Sequence, residues 1–385
     1  MTVVEILRAL VGFDTTSAKT NIPCTEWVRD YLALHGVQST ILRAQNGIHA
    51  NLHALIGPSL GKNGAGGIGL SGHMDVVPTT GQPWDTNPYE LIEKDGRLYG
   101  RGSTDMKGYL ACVLAAVPMF IEGTLKKPMH VLFSYDEEVG CTGVVDMVNA
   151  LGVSIPKPEI VFVGEPTNLG VVDAHKGGAR FTTTVIGKDA HSSKPHTGVG
   201  AIRIAGELMH ELGRMEERLK SKFYSERFEP PYSSVTVSRV EGGIAHNILP
   251  PLCTFDWGIR IMPGLDVMSC VAELQAFAER ELLPAMQAVA PECRITTEVQ
   301  GILPPFSSGE KSEAVSLAFK LAGQNETFAV AYGTEASHFQ AAGCSSVVCG
   351  PGNIDQAHKP NEFIDIIELE RCMGFMAKLD TWARA

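Results

Sequence analysis

Ile68-Gly-Leu-Ser-Gly-His73 is a short apolar run that ends on an imidazole. The same design recurs in His130-Val-Leu-Phe-Ser-Tyr-Asp-Glu-Glu138, in Ile160-Val-Phe-Val-Gly-Glu165, and in Ser346-Val-Val-Cys-Gly-Pro-Gly352 ahead of His358. Continuous apolar runs bounded by glycine or acids read as strands buried on both faces, the pattern of a parallel sheet. In open α/β sheets ligands bind beyond the carboxyl ends of the strands. Together with Asp105, these ends offer two imidazoles and three carboxylates. That donor set suits two zinc ions, each holding one His and one Glu, with the Asp shared. The pattern points to a hydrolase with a two-metal site.

Outward from these runs, strands are expected near 50–56, 67–72, 130–135, 160–164 and 345–349. Val4, Leu7, Leu10 and Val11 fall at helical spacing, as do Trp27, Val28, Tyr31 and Leu32 before Gly36, and Met106 to Phe120 reads as a further helix. Such alternation predicts an α/β/α sandwich with a largely parallel sheet. Residues 57–69 read as a glycine-rich loop.

The middle of the chain has another rhythm. A strand over 179–186 precedes a helix over 201–219, then come strands at 233–240 and 253–261, a long helix from Asp266 to about Ala290, and a strand over 293–299. This order, βαββαβ, is the ferredoxin-like split unit. Gly177-Gly178 and Gly301 with Pro304-Pro305 mark its edges. The expected organisation is a discontinuous catalytic, metal-binding domain, 1–178 and 302–385, interrupted by an inserted domain over 179–301.

Composition narrows the classes of function. The 385 residues carry a net charge of −11, which disfavours nucleic acid as a partner. No stretch approaches ~18 uninterrupted apolar residues, so no membrane span is expected. The start, Met-Thr-Val-Val-Glu-Ile-Leu, has no secretory-signal pattern. Nine cysteines, an odd number without a Cys-x-x-Cys pair, read as reduced thiols of a cytoplasmic protein.

The candidate site residues differ in how much each says alone. In His73-Met74-Asp75 a carboxylate two residues after an imidazole can accept the other ring N–H and fix the tautomer. Asp105 precedes a helix, where a carboxylate also suits the N-cap. Asp136-Glu137-Glu138 packs three acids together, which repel unless cations compensate. Glu138 is the expected ligand and Glu137 the free general base. No complete phosphate-binding glycine loop accompanies Gly100-Arg-Gly-Ser-Thr-Asp105, so nucleotide chemistry is set aside.

Ser-Gly-His-Met-Asp-Val-Val-Pro78, Tyr-Gly-Arg-Gly-Ser-Thr-Asp-Met-Lys-Gly108, Asp-Glu-Glu-Val-Gly140, Gly-Glu-Pro-Thr167 and the His358 loop, five ordered motifs, resemble the dinuclear zinc aminoacylase, desuccinylase and carboxypeptidase family over essentially the whole chain. The resemblance implies His73, Asp105, Glu138, Glu165 and His358 as metal ligands with Asp105 bridging, Glu137 as general acid and base, and Asp75 as orienter of His73. It implies two divalent ions, zinc or alternatively cobalt. The inserted domain becomes a lid through which a homodimer forms. His191, in Gly-Lys-Asp-Ala-His191-Ser-Ser, is similar to a histidine that polarises the scissile carbonyl, in the same subunit or the partner. Asn247 and Arg260 match substrate-carboxylate positions.

Phe-Asp-Thr-Thr-Ser17, Gly-Gln-Pro-Trp84, Val-Asp-Ala-His-Lys-Gly177 and Tyr-Gly-Thr-Glu-Ala336 resemble the branch that deacetylates N2-acetyl-L-ornithine, with Glu335 as counter-ion for the substrate ammonium. The implied substrate is a small N-acyl amino acid. Desuccinylation of N-succinyl-diaminopimelate, or a broader N-acyl-amino-acid hydrolysis, is the alternative within the class. A non-catalytic metal-binding protein on the same fold is the alternative outside it.

Overall fold

A computed structural model describes residues 1–59, 66–309 and 311–385. Residues 60–65, the middle of the expected glycine-rich loop 57–69, lie outside the described residues. The chain divides into two compact units: residues 1–174, 306–328 and 334–385 form the first, and 175–305 with 329–333 the second.

The first unit is built on a mixed sheet. Strands run in the order Ser39–Arg43, Ala50–Ile56, Met129–Ser134, Ile68–His73, Ile160–Pro166 and Ser345–Gly350. The last four pair in parallel and the first two join antiparallel at the edge. Ile68–His73, Met129–Ser134 and Ile160–Pro166 are buried at every position, which is why their sequences are continuous and not alternating. The edge strand Ser39–Arg43, half-exposed or exposed at every position, lacks that signal.

Helices cover this sheet. Val3–Val11 is fixed by a capping box in which Thr2 Oγ1 accepts the Glu5 N–H at 3.2 Å and Glu5 accepts the Thr2 N–H at 2.7 Å. Lys107–Ile121 is apolar all round because it packs between the sheet and the helices Val3–Val11 and Ile366–Arg384. Its Tyr109 ring lies so close to Gly164 that a Cβ there would stand 2.1 Å from the ring. Glycine before Glu165 therefore lets the helix seat against the strand that delivers this acid.

In the second unit, strands Gly177–Ile186, Val235–Gly242, Leu252–Ile261 and Arg294–Leu303 form an antiparallel sheet in which the first and third are central. Helix Ala201–Lys222 and the segment after Asp266 bury its apolar face. Trp257 stacks on Phe181 at 4.3 Å and donates its indole N–H to Thr183 Oγ1 at 2.9 Å. Burying each such ring contributes about 1.5–3 kcal/mol.

The expected single helix from Asp266 is interrupted. Val267–Phe277 passes through a π-helical turn, Ala278–Leu282, into Leu283–Val289. Pro284 has no N–H to return to the carbonyl of Arg280, so the regular ladder gives way there. All nine cysteines are buried and unpaired. No helix among the described residues is long and apolar enough to cross a membrane.

Candidate metal centre

His73 ends its strand fully buried. Its Nε2 lies 3.1 Å from Asp105 Oδ1, 3.9 Å from Glu165 Oε1 and 4.0 Å from Glu137 Oε2. His358 Nε2 lies 3.3 Å from Asp105 Oδ2 and 2.9 Å from Glu138 Oε2. Asp105 thus turns one oxygen to each imidazole. Ligand atoms about 2 Å from one ion stand about 3.3 Å apart in a tetrahedral site, so these spacings fit metal coordination. Among the described residues, two groups of three converge closely enough to hold an ion: His73 with Glu137 and Glu165, and His73 with Asp105 and Glu138.

The electrostatics carry the same message. Burial pushes Glu137 up to about 8 and Glu138 up to about 7, and Glu165 lies well above the usual carboxylate range for the same reason. Hydrogen bonds to Asp105 and Glu138 raise His358 to about 10. Buried acids left to themselves hold protons, and a dication takes the place of those protons. Glu165 Oε1 is buried without a hydrogen-bond partner, an orphan acceptor aimed into the cluster.

Two expectations change in detail. Asp105 is not the helix cap: the helix starts at Lys107, Met106 occupies the cap position, and no side chain caps it. The Asp105 carboxylate is taken up by the two histidines, while its backbone N–H donates to Glu362 Oε1 at 3.1 Å. Asp75 meets His73 chiefly through its backbone, the carbonyl lying 2.9 Å from Nδ1 and the carboxylate 3.5 Å away. That carboxylate instead accepts the hydroxyl of Ser17 at 2.8 Å and the N–H groups of Glu137 and Glu138, each at 3.2 Å.

Glu335, the expected substrate counter-ion, is fully buried. Its carboxyl accepts hydrogen bonds from Ser134 and, at 3.2 Å, from Ser71, which sit on the strands leading to the acidic turn and to His73. Burial pushes it up to about 7.

His191, Asn247 and Arg260 belong to the second unit. The exposed His191 accepts the Ser193 N–H at Nδ1 (3.1 Å), which places its ring proton on Nε2. The carbonyl of Asn247 accepts the Ser192 N–H at 2.9 Å, so these two segments lie side by side. Arg260 projects from the sheet face opposite Phe255 and Trp257, and its Nη1 lies 3.6 Å from where a Gly178 Cβ would stand.

Sequence reasoning assigned no role to Ser17, Cys141, Gln82, Arg101 or Glu362. Cys141 donates its thiol to Glu137 Oε1 at 3.2 Å. The other four act through partners far away in sequence.

Residues 69–379 match peptidase family M20/M25/M40. Acetylornithine deacetylase of Myxococcus xanthus is 33% identical over 97% of this chain and 95% of its own. The enzyme of that name from Erwinia tasmaniensis is 35% identical over 82% of this chain and 80% of its own. Among solved structures, aminopeptidase PepT from Bacillus cereus superposes with a TM-score of 0.74 at 20% identity, covering 100% of this chain and 98% of that one. A dinuclear metal-binding peptidase of family M20 from Bacillus subtilis gives 0.69 at 14% identity, covering 99% and 97%.

Proposed function

The chain belongs to peptidase family M20/M25/M40, and from that premise we propose that it is a metal-dependent amide hydrolase that cleaves N2-acetyl-L-ornithine to L-ornithine and acetate. The observation that carries the reading is the Asp105 carboxylate set between two imidazoles, each flanked by a glutamate. The substrate assignment is supported by relatives that carry the name acetylornithine deacetylase over nearly the full chain.

His73 and Glu165 would hold one divalent ion, His358 and Glu138 the other, with Asp105 shared and zinc the favoured metal. When bound, such ions polarise the amide carbonyl and lower the pKa of an attached water. Glu137 takes the proton of the attacking water and returns it to the departing amine nitrogen. Its carboxylate lies 4.0 Å from His73 Nε2, beside the groups that would hold the metals. Asp75 holds the backbone of the turn that carries both glutamates. The Nε2–H of His191 is the donor assigned to the acyl oxygen, and Asn247 and Arg260 are assigned to the substrate carboxylate. The first unit is the catalytic domain in this reading, and the second a lid that forms a homodimer.

The test is free-amine release from N2-acetyl-L-ornithine and N-succinyl-L,L-diaminopimelate by metal-loaded and chelator-treated protein. Metal-dependent cleavage of the acetyl substrate is expected. Cleavage of the succinyl substrate alone would keep the chemistry and replace the substrate.

A further inference from the structure

The loop carrying Asp105 and the loop carrying His358 are joined by a buried ion pair that the reaction does not consume. Glu362 and Arg101, both 1% exposed, meet at 2.7 Å. Glu362 Oε2 also accepts the Gly102 N–H at 3.0 Å, and its Oε1 accepts the N–H groups of Thr104 at 3.0 Å and Asp105 at 3.1 Å. On the other side, Arg101 Nη2 donates to Gln82 Oε1 at 2.5 Å, and the Trp84 indole N–H donates to the same oxygen at 3.1 Å. Arginine and indole nitrogens only donate, so the Gln82 amide is fixed with its NH₂ toward the carbonyl of His358, 2.8 Å away.

A hydrogen-bonded path therefore runs from Asp105 N–H through Glu362, Arg101 and Gln82 to His358. His358 has φ +64°, a conformation uncommon outside glycine, and Gln82 holds its carbonyl there. Asp85 and Asn361 tie the Gln82 segment to the His358 loop by a pair of 2.9 Å hydrogen bonds. We propose that Gln82, Arg101 and Glu362 are positioning residues that fix His358 against Asp105 and thereby set the affinity of the metal position formed by His358, Glu138 and Asp105. This rests on the two-metal reading above.

Arg101→Ala or Glu362→Ala would leave a buried charge without its partner and upset folding, so the discriminating changes are at Gln82. Gln82→Glu keeps an acceptor for Arg101 and Trp84 and loses the donor to His358; Gln82→Ala loses both. Metal-free protein is titrated with zinc by calorimetry, with His358→Ala identifying which binding event belongs to His358. Both Gln82 variants are expected to weaken that event by about 10–100-fold, to leave the other event unchanged, and to melt with the metal-free wild type. Two wild-type events in Gln82→Glu, or equal weakening of both, overturns the proposal. A wild-type protein that binds only one ion overturns the two-metal reading itself, and the proposal with it.

Discussion

The carboxylate of Asp75 accepts the backbone N–H of Glu137 at 3.2 Å. With the parallel contact to Glu138 and the hydroxyl of Ser17, it holds the acidic turn from beneath, where Asp136 has φ +56°. Asp75→Asn puts an amide NH₂ where only acceptors fit. It is expected to lower metal affinity by about 10–100-fold and to reduce kcat. Ser17→Ala removes one of three donors and leaves both backbone N–H contacts in place, so its loss of metal affinity is expected to be smaller than that of Asp75→Asn. Metal titration and turnover of both variants check this ordering; Ser17→Ala as damaging as Asp75→Asn would deny the carboxylate its central place.

Glu137 sits beside the groups proposed to hold the metals, and in the metal-free protein burial raises its own proton affinity to about 8. Glu137→Gln retains the shape and cannot carry the proton. Turnover is expected to fall by about 10²–10⁴-fold, the usual worth of a general base, while zinc content stays at the wild-type value by elemental analysis. Full activity in this variant would remove Glu137 from the chemistry.

What could be read in the sequence and what could not divide along physical lines. His73, Glu138 and Glu165 follow strands buried on both faces, and such strands announce themselves as unbroken apolar runs. The alternation of Cys253, Phe255, Trp257, Ile259 and Ile261 likewise gives the one-sided sheet of the second unit. Gln82 and Glu362 give no local sign of their positioning contacts, because the partners stand 276 and 257 residues away. The enclosure of Glu335 is hidden for a related reason: Ser71 and Ser134, whose hydroxyls meet its carboxyl, stand 264 and 201 residues away in sequence.

A buried histidine pair makes stability fall in acid. His130 Nε2 faces the carbonyl of Gly66 at 2.8 Å, so its Nδ1 accepts from His53 Nε2 at 3.2 Å and both rings are neutral. Burial pushes His53 down to about 3 and His130 to about 4 from an ordinary 6.5. Between those values the unfolded chain binds more protons than the folded one. The stabilisation is therefore complete above about pH 6.5 and is lost as pH falls toward 4. His53→Gln keeps a donor for His130 and does not titrate. Melting temperatures of the metal-free protein from pH 7.5 to 4.5 should fall less steeply in this variant than in wild type; parallel curves would mean that His53 takes up its proton equally in the folded and unfolded chain.

Glu335 offers the sharpest contrast between a substrate contact and an interior support. Enclosed by Ser71 and Ser134, it ties the strand leading to His73 to the strand leading to Glu138. Glu335→Gln preserves hydrogen bonding to both hydroxyls and removes the negative charge. An interior support predicts that the variant changes kcat/KM by the same factor for N2-acetyl-L-ornithine and for an N-acetyl amino acid with an uncharged side chain. A direct counter-ion predicts a selective loss for the ornithine substrate, because only that substrate presents an ammonium to be left unpaired. Equal factors are the expected outcome, since Glu335 is completely buried and each of its oxygens already accepts a serine hydroxyl. A selective loss would show that Ser71 and Ser134 give up the carboxylate when substrate enters.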